Sequence, residues 1–239
     1  MPTLPSVLIL VTSHEQLGSS ERKTGYWLGE VTHFHHALAK AGLEVDIASP
    51  NGGRAPMDEK SRSPRDPLNE AFLTDGLLRR KLENSLPASR VDEARYQAVY
   101  FAGGHGAMWD FPNHPRFSAI ATALYRRGGV VSAVCHGSAG LFGVQDGTGK
   151  PLLEGRRVTG FANLEERLIG LSKAVPFLLE DRLKEAGGRY HRAFLPFAPH
   201  VEEDGRLVTG QNPASAGAVG RRVAALLAAS GARGEASSG

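Results

Sequence analysis

Residues 130–140 read VVSAVCHGSAG. The first five are an apolar run rich in β-branched residues, set off by Gly128 and Gly129. That is the pattern of a strand covered on both faces, as in a parallel sheet. After Cys135 the composition changes to HGSAGLFGV, small residues followed by apolar ones at helical spacing. The stretch therefore predicts strand, sharp turn and helix, with Cys135 on the turn. This is the geometry of a nucleophile elbow, where a tight backbone requires small neighbours and lifts the reactive atom above the sheet. A helix beginning at His136 or Gly137 would set its N–H groups and positive dipole end near the sulfur and favour the nucleophilic thiolate. The competing reading is a cysteine buried as a small hydrophobe.

Outward from the elbow, strands and helices alternate. SVLILVTS (6–13) reads as a first strand, followed by a helix from about Tyr26 to Ala41 closed by Gly42. LEVDIASP (43–50) is a second strand, and QAVYFAGGHG (97–106) is a strand entering a glycine loop. The helix HPRFSAIATALYRRGG leads into the Cys135 strand; RRVTGF (156–161) reads as another strand, and helical stretches fill 164–187. GRLVTGQNPAS (205–215) is a late strand and turn before a helix over 214–229. Residues 51–95 break the rhythm, being polar and Pro-rich, and predict an inserted cap with one or two short helices. With no repeat and no linker, residues 1–230 form one α/β domain, and 231–239 are expected to be a disordered tail. Alternation with short connections implies a doubly wound, mostly parallel sheet with helices on both faces. Its site is expected beyond the carboxyl ends of the strands, at a switch point.

Composition narrows the function. A net charge of +3 over 239 residues, with the basic residues scattered, does not imply nucleic acid. A single cysteine excludes an internal disulfide framework and suits a reducing compartment. MPTLPSVLILVTS has no basic leader region and reads as a strand rather than a signal peptide, and no stretch approaches transmembrane length. The expectation is a cytoplasmic protein with no membrane partner.

A cysteine nucleophile needs a base, an orienting group and donors for developing oxyanion charge. His136 is the base nearest in sequence, although adjacent side chains usually point apart, and its alternative is a solvent-facing residue at a helix start. AGGHG (102–106) brings consecutive glycines, Gly103 and Gly104, whose backbone approaches a ligand closely. The Gly104 and His136 amides would make a two-donor oxyanion pocket; the plainer reading of the glycines is a tight turn. The spacing is not that of a dinucleotide fingerprint. Glu30 lies on the otherwise apolar face of the first helix, where a buried carboxyl would hold its proton and donate to a thiolate; an exposed glutamate is the alternative. Glu165 and Glu166 suit a helix start, or one of them orients His136. His33 and His36 share a helix face, but a solvated face is the simpler reading and no metal is predicted there.

Taken together, AGGHG, AVCHGSAG, VTGFANLEE and LVTGQNPASA resemble the ThiJ/PfpI superfamily, whose fold is a flavodoxin-like, class I glutamine amidotransferase-like sandwich. Within it, the chain looks most like the heat-shock branch of glyoxalase III enzymes and holding chaperones. The resemblance spans roughly residues 5–230. It implies Cys135 as nucleophile, His136 as its partner, Glu166 as the third acidic residue with Glu165 as fallback, Glu30 as the carboxyl at the sulfur and Gly104 as the oxyanion glycine. The implied activity is glutathione-independent conversion of a small 2-oxoaldehyde, methylglyoxal, to lactate, with no metal, nucleotide or other cofactor and a lid supplied by 51–95. Other readings are a holding chaperone for unfolded clients, a deglycase, or a cysteine amidase or small-peptide hydrolase. A homodimer is expected.

Overall fold

The computed structural model describes residues 6–63 and 65–236 of the chain. In order, the elements are β1 (Ser6–Leu10), α1 (Leu28–Lys40), β2 (Glu44–Ser49), α2 (Pro67–Thr74), α3 (Gly76–Glu83), β3 (Leu86–Pro87), β4 (Tyr96–Phe101), α4 (Ala107–Asp110), α5 (Pro115–Arg126) and β5 (Val130–Val134). A 3-10 helix (Cys135–Leu141) follows, then β6 (Arg157–Val158), α6 (Asn163–Leu168), α7 (Leu179–Glu185), β7 (Arg189–Tyr190), β8 (Val201–Asp204), β9 (Leu207–Gly210) and α8 (Ala216–Ala236).

Seven strands form one sheet in the order β3-β2-β1-β4-β5-β9-β8, parallel except for β8 against β9. Without the two edge strands this is the flavodoxin order, with its switch point between β1 and β4. The strands are the near-continuous apolar runs that a two-sided burial demands: Val7, Leu8, Ile9 and Leu10 are all fully buried. β4 shows both layers directly. Tyr100 stacks on Phe34 of α1 with ring centroids 3.7 Å apart, while its neighbour Phe101 meets Phe117 of α5 edge-on at 6.2 Å. Successive strand residues point to opposite faces, so α1 and α5 cover opposite sides of the sheet. On the α1 side, α8 packs so closely that a Cβ on Gly220 would lie 2.8 Å from Ala37 Cβ. That contact fixes the helix bearing Glu30.

Four local readings change. The expected strand over 156–161 shrinks to β6, which pairs with β7 in a separate two-stranded sheet. β8 appears where no strand was read, as the antiparallel edge. The insertion 51–95 is stitched into the domain: β3 extends the main sheet beside β2, Pro56 O accepts from Tyr26 N, and Ser61 Oγ accepts from Leu28 N at 2.9 Å. It thereby supplies the side-chain cap that Trp27 lacks at the start of α1. At the other end α8 runs on through Ala236, into the segment expected to be a disordered tail, because ARGEA is rich in helix formers; residues 237–239 lie outside the described residues. Among the described residues no helix is long and apolar enough to cross a membrane.

Candidate active site

The carboxyl ends of β1, β4 and β5 bring Glu30, the 103–105 loop and the elbow together. Val134 ends its strand extended and Cys135 turns sharply with φ +57°, a left-handed conformation unusual for a residue with a Cβ. The small residues that follow are sterically required: a Cβ on Gly137 would strike the Phe101 carbonyl, and one on Gly140 the Phe101 ring. In place of the expected α-helix, this crowding leaves the seven-residue 3-10 helix, so the full helix dipole imagined for the sulfur is not available.

The turn does bend His136 back. Its ring is buried, with Nδ1 3.3 Å from Cys135 Sγ. His136 Nε2–H donates to Glu166 Oε2 at 2.7 Å, and His105 Nε2–H donates to Glu166 Oε1 at 3.0 Å. Burial alone would raise the Glu166 carboxyl, but the two histidines hold it well below the usual carboxylate range. An ionised Glu166 favours a proton on each Nε2, and in that tautomer a neutral His136 presents its Nδ1 lone pair to the thiol.

Glu30 is fully buried. Gly103 N–H donates to its Oε2 at 2.6 Å, and Oε1 takes no hydrogen bond of good geometry among the described residues. Burial pushes this carboxyl up to about 8, against the pull of Gly103 and the Cys135 thiol. The Cys135 thiol is itself driven well above its ordinary range by burial and by Glu30, opposed by the backbone N–H of His136. This runs against the expectation of a resting thiolate: the sulfur is buried, and burial together with Glu30 favours the protonated thiol. With Glu30 protonated, the repulsion disappears and its O–H can donate to the sulfur once charged.

Gly103 and Gly104 have distinct places. Gly103, grouped with Gly104 as a candidate for close backbone approach to a ligand, has its N–H committed to Glu30. Gly104, at φ +103°, lies against Gly25 and Tyr26–Trp27 with no room for a side chain. Glu165 is a structural clamp: its oxygens accept from Phe197 N at 2.7 Å, Asn212 Nδ2 at 2.9 Å and Ala162 N at 3.0 Å. His33 is tied to Asp66 at 2.7 Å. His105, Glu166 and His136 are the one donor set, among the described residues, with ligand atoms all within 4.8 Å. His105 was not singled out from the sequence; its one signal is adjacency to Gly104 in AGGHG.

A family model described as the DJ-1/PfpI family matches residues 24–226. The chain belongs to the DJ-1/PfpI family. Among curated relatives, it is 35% identical over 221 residues to the glutathione-independent glyoxalase HSP31 of Saccharomyces cerevisiae, covering 88% of this chain and 92% of that one. It is 34% identical to glyoxalase 3 of Candida albicans over 88% of this chain and 93% of that one. Among solved structures, glyoxalase III from Candida albicans superposes with a TM-score of 0.86 at 31% identity, over 94% of this chain and 98% of the other. The Francisella tularensis Rapid Encystment Protein 24 kDa superposes at 0.89 with 39% identity, over 94% and 99%.

Two expectations test this geometry. A Cβ on Gly103 would lie 2.6 Å from Glu30 Oε2, 2.7 Å from Val134 O and 3.0 Å from Cys135 Cβ. Gly103→Ala should therefore cost about 1–3 kcal/mol of stability, measured by urea denaturation, and unchanged stability would contradict the packing. For Glu30, the native carboxyl titrates near 8 and the unfolded one near 4.5, so the native state binds more protons between those values. Stability should consequently fall as pH rises through that window. Glu30→Gln should flatten the profile, read as melting temperature against pH; a parallel profile in the variant would refute the assignment.

Proposed function

We propose that the chain is a glutathione-independent glyoxalase that converts methylglyoxal to lactate on Cys135. One observation carries the reading: Cys135 Sγ lies 3.3 Å from Nδ1 of a Glu166-bound His136, and an un-ionised Glu30 lies beside it. The strong likeness to curated glyoxalases supports the substrate class.

His136 Nδ1 takes the thiol proton and sulfur attacks the aldehyde carbon, giving a hemithioacetal. Glu30 donates to the charged sulfur as it forms. His136 then moves the proton from the aldehyde carbon to the neighbouring carbonyl carbon by way of an enediol, leaving a lactoyl thioester, and water releases lactate. The amides of Gly104 and His136 are positioned in our reading to hold the developing oxygen charge, where fixed donors are most effective. The sequence is redox-neutral and uses no external oxidant, metal or nucleotide. The protein incubated with methylglyoxal and no glutathione should yield lactate; none from a demonstrably reduced thiol would overturn the proposal. A cytoplasmic homodimer belongs to the same reading.

A second reading, a holding chaperone, is favoured by the loop 193–198, which exposes Phe194 at 94%, Leu195 at 62% and Phe197 at 45%. Apolar side chains clustered on a surface loop suit contact with unfolded clients.

A further inference from the structure

The Nδ1 atom of His105 is buried and takes no hydrogen bond among the described residues. The other ring nitrogen donates to Glu166, so Nδ1 carries a lone pair rather than a proton. An acceptor sealed away without a donor costs about 1–3 kcal/mol, and such orphans mark places where a water or a reacting group belongs. The ring lies 4.1 Å from that of His136, hangs on the same carboxylate and directly follows Gly104. His136 is occupied differently: its Nδ1 faces the sulfur and serves whatever happens there. Hydrolysis of the thioester needs a base for a water that approaches the acyl carbon, not the sulfur.

We propose that His105 is the base of the second half-reaction, its Nδ1 taking the proton from the water that hydrolyses the Cys135 thioester. The proposal rests on the glyoxalase reading above. The water oxygen bonds to the thioester carbon as one of its protons passes to His105 Nδ1. The C–S bond breaks with its electron pair on sulfur, which regains that proton by way of the histidines; the second water proton leaves with the ionising lactic acid. Glu166 then serves both imidazoles in turn, through one oxygen each. His105 is ready for this at neutral pH, since burial and the adjacent His136 lower it to about 4, against the pull of Glu166 and Asp58.

His105→Gln separates the base from the support, because the glutamine amide can still donate to Glu166 while the imidazole acceptor is gone. With methylglyoxal and a hydroxylamine quench, which converts thioester to hydroxamate, the variant should form thioester at the wild-type rate. It should release lactate about 10²-fold more slowly or worse, so that hydroxamate accumulates. Lactate release at the wild-type rate overturns the proposal, as does equal slowing of both steps, which would mark a structural role. A wild-type protein that makes no lactate brings down the glyoxalase reading and this one with it. Should the variant not fold, rapid-quench runs on the wild type across pH decide: thioester hydrolysis should fall on the acid side with a midpoint near 4 that thioester formation does not share. Coincident profiles overturn it.

Discussion

Cys135→Ala should abolish lactate formation, a loss of about 10⁴-fold or more in kcat, with the protein still folded. In the proposed mechanism the sulfur carries the substrate from hemithioacetal to thioester, and the sequence has no second thiol to replace it. The structural effect is small by comparison. Position 135 keeps its left-handed turn, and the buried void left by one sulfur atom costs about 1 kcal/mol. Lactate assays beside circular dichroism separate the two effects, and retained turnover in the variant would remove Cys135 from the chemistry. The same protein divides the two functional readings. Suppression of client aggregation through the exposed Phe194 loop should persist in Cys135→Ala, since that loop lies outside the thiol chemistry.

Glu166→Gln should lower kcat by about 10³- to 10⁴-fold with little change in KM. Glu166 now accepts from two imidazole N–H groups, one on each oxygen. An amide has only one acceptor oxygen and presents N–H on the other side, so one histidine must surrender its Nε2 proton and carry it on Nδ1. When His136 is the one that changes, an N–H faces the Cys135 sulfur and the base is lost; when His105 changes, its free lone pair disappears. In the proposed mechanism either change blocks one of the two half-reactions. Steady-state kinetics with methylglyoxal check this, and a change confined to KM would contradict the shared-carboxylate arrangement.

The fold was legible because parallel strands covered on both faces leave little choice of residue. VLIL, VYF and VVSAV announce themselves, and the intervening helices follow from their periodicity. β8 escaped notice because VEED sits at an antiparallel edge, where half the residues face solvent and no apolar run forms. The candidate site was legible where its signals are local, as at the elbow around Cys135 and the paired glycines. Glu165 and Glu166 could not be told apart from spacing: neighbours on a helix point about 100° apart, and only the positions of His136 and of the 197–212 region decide which carboxylate meets which donors. His105 was invisible for a related reason, its partner lying 61 residues away. The protonation state of the thiol depends on burial, which no motif encodes.

Cys135 adopts a backbone angle, φ +57°, that glycine takes freely and that other residues resist by about 1–2 kcal/mol. Stabilisation campaigns that score heat tolerance alone therefore exert a pull on this position in the wrong direction, rewarding relief of the bend and indifferent to the loss of the atom it displays. Libraries built on this scaffold should hold position 135 constant, or rank clones by product formed.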